Sequence, residues 1–176
     1  MPAVVESGRS EVAVGSAWHA LWTRSRHEPL VCSELTVKGI ETFLPTFVRV
    51  SKWSDRTKRL AVPLFPGYCC ARFTPLALST VVRSTGVVSI LSNGGTPIPI
   101  PTFEIEALQR TVASGIEMDP CSSLEPGAPV RVLRGPLTGV IGKLVRRGAD
   151  NVLVLAVEIL NSGARVQVSA ADVEPI

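Results

Sequence analysis

The residues of this chain that could do reactive chemistry are few, and their spacing suits none of the usual reactions. His19 and His27 flank one apolar run with no paired nucleophile. Glu104 and Glu106 lie two apart in a helical stretch and so do not share a face. Cys32, Cys69, Cys70 and Cys121 have no CxxC spacing, and the two histidines add no ligand pattern, which argues against a metal site. No P-loop or dinucleotide glycine pattern occurs. The reading is therefore a binding protein, not an enzyme, that needs no cofactor. In Pro63-Leu64-Phe65-Pro66-Gly67-Tyr68 two prolines and a glycine interrupt a strand-like run, which reads either as a bulged core strand or as aromatic side chains held for recognition on a stiff backbone. Trp18 and Trp22 precede it; Trp18 reads as core, and Trp22 is balanced between core and surface.

Cations form a second group. Between Arg49 and Leu60 the chain carries Arg49, Lys52, Arg56, Lys58 and Arg59 against Asp55 alone. A solvated hairpin tip and a surface facing phosphates both fit that pattern.

The elements that must position these residues follow from periodicity and punctuation. Ala17–Thr23 reads as a strand. His27–Lys38 reads as a helix with Gly39 as its C-terminal cap. Ile40–Val50 is a second strand broken at Pro45, Ser51–Arg59 a basic turn, and Leu60–Phe73 a third strand. Thr74-Pro75 has the form of a helix start, leading to a short helix through about Arg83. Val87–Leu91 is the fourth strand. Pro101-Thr102 opens a further helix with Phe103, Ile105, Leu108 and Val112 as its buried stripe. Strand, helix, two strands, helix, strand is the order of a split β-α-β, ferredoxin-like unit. Residues 116–126 read as a linker. Short β-branched runs separated by glycines then predict a small all-β barrel over residues 127–176. The fold class is α+β, with a loose tail at 1–15 and the first domain at 16–115.

The chain of 176 residues, 45% of them hydrophobic and 19% charged, can bury a core. No apolar run approaches the ~20 residues that span a bilayer, and Glu6 and Glu11 speak against a secretory signal. Reduced thiols in a cytoplasm fit best, with no membrane partner. A net charge of +3 does not by itself define a nucleic-acid partner.

In their order and distances, Trp18-His19-Ala20-Leu21-Trp22, Leu64-Phe65-Pro66-Gly67-Tyr68 and the segment Val130-Arg131-Val132-Leu133-Arg134-Gly135-Pro136-Leu137-Thr138-Gly139-Val140-Ile141-Gly142 resemble the NusG family of transcription elongation factors. The resemblance implies a NusG N-terminal domain followed by an SH3-like KOW barrel, whose motif here is Val130, Val132, Gly135, Pro136, Gly139 and Gly142. It implies RNA polymerase as partner, through the clamp helices of its largest subunit, on an apolar face matched by Trp22, Leu64, Phe65, Pro66 and Tyr68. A second polymerase contact would use Leu78, Ser79 and Thr80, so that the factor bridges the DNA cleft. In specialised paralogues the residues after the first strand read non-template DNA; Arg24, Arg26 and His27 hold that place.

Two departures favour a specialised paralogue of the RfaH, UpxY or LoaP kind, acting on a subset of operons. The housekeeping Phe-Gly-Arg and Thr-Pro-Val-Glu pattern is replaced by Ile159-Leu160-Asn161-Ser162-Gly163-Ala164-Arg165-Val166-Gln167-Val168, and the first domain lacks an insertion. Both leave open whether the barrel meets Rho or a ribosomal protein. The expected function is suppression of pausing or antitermination. The alternatives are a housekeeping NusG-type termination or antitermination factor and a ribosome-associated KOW protein that binds RNA.

Overall fold

The computed structural model describes residues 15–176, so the tail expected at 1–15 lies, but for Gly15, outside the described residues. Strand β1 (Ala17–Thr23) leads to helix α1 (Glu28–Val37), whose first turn holds Pro29 and whose end is followed by Gly39 at φ +78°. Then come β2 (Glu41–Phe43), β3 (Thr46–Trp53), β4 (Arg56–Pro63), β5 (Tyr68–Phe73), α2 (Leu78–Val82) and β6 (Val87–Ile90). The sheet order β2-β5-β1-β6 is the antiparallel 2-3-1-4 arrangement of the ferredoxin-like unit, with β3 and β4 standing outside it as a separate hairpin. The helix expected from Thr74-Pro75 begins as a 3-10 turn over Pro75–Ala77, with no side-chain cap from Thr74.

Two of the expected boundaries change. Ser51–Arg59 is no turn: β3 and β4 pair in continuous register from Thr46↔Pro63 to Trp53↔Arg56, which leaves only Ser54 and Asp55 at the tip. β-branched and long side chains pair well across a ladder even where they are charged. The third strand is cut at Leu64–Gly67, where proline removes a ladder donor.

Three two-residue strands follow: β7 (Ser92–Asn93), β8 (Thr96–Pro97), which closes a Gly94-Gly95 turn with β7, and β9 (Pro99–Ile100), which joins β1. Helix α3 (Thr102–Ser114) buries Ile105, Ala107 and Leu108, with Glu104 and Thr111 beside them. Phe103, 53% exposed, and Val112 turn outward, contrary to the predicted stripe. Periodicity admits more than one stripe here, and small Ala107 is the side that both neighbours can approach.

The segment read as a linker contributes β10 (Asp119–Cys121), which pairs with Gly163–Arg165 and buries Cys121. Strands β11 (Ala128–Val132), β12 (Ile141–Arg147), β13 (Asp150–Val157), β14 (Ser162–Val168) and β15 (Val173–Pro175) complete the β-rich C-terminal part in the order β10-β14-β13-β12-β11-β15. Val130, Val132, Leu137, Val140, Leu153, Leu155, Val157 and Val166 fill its core. Gly163 lies so close beneath Leu155 that a Cβ there would overlap the Leu155 carbonyl oxygen.

The β-rich part packs on α3. Arg110 Nη1 donates to the Thr138 carbonyl at 3.1 Å, and the Glu104 carboxylate accepts from the Glu158 N–H at 3.3 Å. Burial raises the Glu104 carboxyl above the usual carboxylate range, and neighbouring Glu158 adds to the rise; the Glu158 N–H and Lys143 oppose it. Because the folded value is raised, the cost of ionising Glu104 is absent below about pH 4.3 and sets in as pH rises through the folded value. Glu104→Gln should therefore gain stability relative to the native chain as pH increases above about 4.3, and should lose that advantage in acid, as urea unfolding at several pH values will record. Gly163→Ala should cost more than about 2 kcal/mol in the same assay, because backbone cannot retreat from the added methyl.

Candidate interaction surface around the Pro-Gly break

Backbone chemistry builds this site. The Tyr68 N–H donates to the Phe65 carbonyl at 3.0 Å, and Gly67 has φ +83°. Proline then glycine at the central positions is what a type II turn requires. The Gly67 carbonyl accepts from the Thr23 N–H at 2.8 Å, which locks the turn to the end of β1. The Gly67 N–H donates to the Glu28 carboxylate at 2.7 Å. Glu28 is buried at the first turn of α1, so one side chain ties helix, turn and sheet.

Trp22 and Tyr68 are direct cross-strand partners, so their side chains share the face that also carries Trp18, Ala20 and Cys70. Trp18 and Ala20 are buried in the cluster that includes α3, whereas Trp22 lies beyond it and remains 49% exposed. Beside it opens a cleft of about 500 Å³, with Trp22, Arg26, Pro29, Val62 and Pro66 among its walls.

Of the polymerase-face residues named from sequence, Trp22 and Pro66 are exposed and Tyr68 is half-buried. Leu64 and Phe65 are not at the surface: each is 4% exposed and packs in the cluster containing Trp18 and Ile105. Their apolar bulk anchors the turn inward, and Pro66 at its crest is what faces out. Ser79 and Thr80 are exposed at the start of α2, and Leu78 packs on the other core. Arg24 and Arg26 are exposed in the β1–α1 loop, Arg26 with φ 62° and on the cleft wall; Arg24 does not line the cleft. His27 is half-buried, its Nδ1 2.9 Å from the Ser25 carbonyl. Gly86 has φ +91°, and a Cβ there would lie 3.0 Å from the His27 Cβ. Val130 and Val132 are core, Gly135, Pro136 and Gly139 form the loop that Arg110 reaches, and Gly142 lies under Leu153.

Glu28 was missed by sequence reasoning. Its only local signal is an acid ahead of Pro29 at a helix start, which the helix dipole alone would explain. Adjacent Cys69 and Cys70 do face opposite sides, one in each core. Burial pushes the Cys70 thiol up to about 12, so it is unionised at neutral pH. Among the described residues no group of three or more His, Cys, Asp or Glu is placed to hold a metal ion, and no helix is long and apolar enough to cross a membrane.

A family model described as "NusG: Transcription termination factor nusG" matches residues 16–109. The chain belongs to the NusG family. No curated protein sequence matches it. Among solved structures, that described as "Domain interaction in Thermotoga maritima NusG" is 20% identical with a TM-score of 0.49, covering 92% of this chain and 97% of that one. The "MjSpt4:Spt5 complex conformation A" chain is 16% identical with a TM-score of 0.31, covering 90% of this chain and 97% of that one. NusG proteins are transcription factors, and a role in transcription elongation and its regulation follows from membership.

The Glu28 to Gly67 hydrogen bond carries a direct expectation. Glu28→Ala should destabilise by about 1–2 kcal/mol, since the half-buried Gly67 N–H loses its acceptor, whereas Glu28→Gln keeps an acceptor oxygen and most of the stability. Chemical denaturation of the two variants measures the difference.

Proposed function

We propose that this protein is a transcription elongation factor that binds RNA polymerase across the DNA cleft and suppresses pausing or promotes antitermination at a subset of operons. The observation that carries the reading is the half-exposed Trp22 beside Pro66, held by the Glu28–Gly67 lock within the family-matched domain. An indole displayed on a rigid turn is the kind of anchor that dominates an interface once desolvated. Polymerase contact is assigned to Trp22, Pro66 and Tyr68, with the clamp helices as partner, and a second contact to Ser79 and Thr80. Leu64 and Phe65 act indirectly, by setting the turn. Arg24 and Arg26 stand beside this surface, where guanidinium groups serve phosphates or a guanine edge of non-template DNA. Action of this kind is differential binding to two polymerase states and needs no catalysis. The barrel's partner, Rho or a ribosomal protein, is a further part of the proposal.

Single-round transcription by the cognate polymerase, on a template with pauses and a terminator, should show shortened pauses or greater read-through when the protein is added. Trp22→Ala should weaken polymerase binding by about 2 kcal/mol or more while leaving thermal unfolding unchanged. Arg24→Ala should change template dependence and spare polymerase affinity. Absence of any effect together with no polymerase binding would favour the RNA-binding KOW reading instead.

A further inference from the structure

Beyond Phe47, which packs against the core, the β3–β4 hairpin is a charged arm that neither core absorbs. It forms its own two-stranded sheet, and from Val48 to Ala61 nearly every residue whose exposure is described is exposed. Residues 46–63 hold five cations and one acid, a net of four positive charges, whereas the whole chain carries +3. The remainder of the molecule is therefore slightly negative, and the excess of positive charge resides in this one ribbon. Among the described residues none of Arg49, Lys52, Arg56, Lys58 and Arg59 forms an ion pair. Asp55 is occupied by the Ser54 hydroxyl at 2.9 Å.

The register settles how the charges are distributed. Val50 pairs with Arg59 and Lys52 with Thr57, so Lys52 and Arg59 share one face. Arg49 pairs with Leu60 and Ser51 with Lys58, so Arg49 and Lys58 share the opposite face, which Arg56 joins near the tip. A ribbon that lay on a flat acidic surface would need cations on one face only. Cations on both faces match a partner that presents negative charge to both sides at once.

We propose that this hairpin inserts into the major groove of duplex DNA, with its two faces toward the two phosphate walls. The dimensions agree. Eight-residue strands give an arm of about 27 Å, with strands about 4.8 Å apart. The B-form major groove is about 12 Å wide and admits a two-stranded ribbon. The A-form RNA groove is too deep and narrow for this, so DNA is the partner. Only Val62 and Pro63, at the base of the hairpin, line the cleft beside Trp22; the charged length lies outside it, and the inference does not depend on polymerase binding.

The test uses the full chain and a fluorescein-labelled 20-base-pair DNA duplex, with anisotropy titrations between about 20 and 200 mM salt and no polymerase present, so this inference and the polymerase reading can fail separately. Each phosphate contact contributes about 0.9 to the slope of log affinity against log salt. Lys52→Gln with Arg59→Gln should lower that slope by about 1.8, and Arg49→Gln with Lys58→Gln should do the same. Arg134→Gln with Arg146→Gln, which removes two exposed cations elsewhere, should leave it unchanged. The native chain should prefer the DNA duplex to an RNA duplex or a single strand of the same length. It should also bind a duplex whose major groove is filled by glucosylated hydroxymethylcytosine several-fold more weakly, a readout that requires no variant to fold. Any of four results would overturn the proposal: no duplex binding at 20 mM salt, an effect confined to one face, an equal loss from the distant pair, or indifference to the filled groove.

Discussion

A continuous apolar cluster runs from Trp18 and Ala20 on β1, through Ile105 and Leu108 on α3, to Val130, Leu153 and Val166 in the β-rich part, and most other features answer to it. Fully burying one such side chain is worth about 1.5–3 kcal/mol. The cluster makes α3 a helix with apolar neighbours on more than one side. That demand explains small Ala107 at its centre and the bonds that satisfy its buried polar groups. Thr111 donates to the Ala107 carbonyl at 2.8 Å, and Glu104 accepts from the Glu158 N–H. Charge is tolerated in the seam only where a donor meets it.

The same cluster decides what the Pro-Gly turn displays. Leu64 and Phe65 are drawn into it, and the Leu64 N–H donates to the Pro45 carbonyl at 2.8 Å, which fixes the approach to the turn. With two apolar side chains pulled inward and Gly67 held by both Thr23 and Glu28, Pro66 is left at the crest next to Trp22. The display is rigid because backbone hydrogen bonds, not surface side chains, define it. Rigid anchors lose little conformational entropy when they dock.

The hairpin obeys the opposite logic. Paired only with itself, it buries little and relies on ladder hydrogen bonds and cross-strand pairs. Such an element tolerates unpaired charge because its cations stay hydrated. A recognition arm and a core element are thus built from similar strands, and what separates them is whether another layer covers a face.

Much of the architecture was legible in local chemistry. The bounds of α1 follow from Pro29 at its start and Gly39 beyond its end, and the break in the third strand follows from Pro63 and Pro66. The strand-helix order specified the ferredoxin-like arrangement, and the period of two placed Cys69 and Cys70 on opposite faces. Burial was less legible. Leu64 and Phe65 read as surface anchors, Phe103 as core, Asp119–Cys121 as linker and Ser51–Arg59 as a turn. All but Phe103 depend on a partner far away in the chain: α3 and the sheet for Leu64 and Phe65, β14 for Asp119–Cys121, the facing strand for Ser51–Arg59. Sequence by itself determined where the backbone can bend and which residues alternate, because proline, glycine and side-chain branching act within a few residues. Tertiary structure alone decided which face is covered, and that Glu28 completes the turn, because burial and long-range hydrogen bonds are properties of the assembled layers.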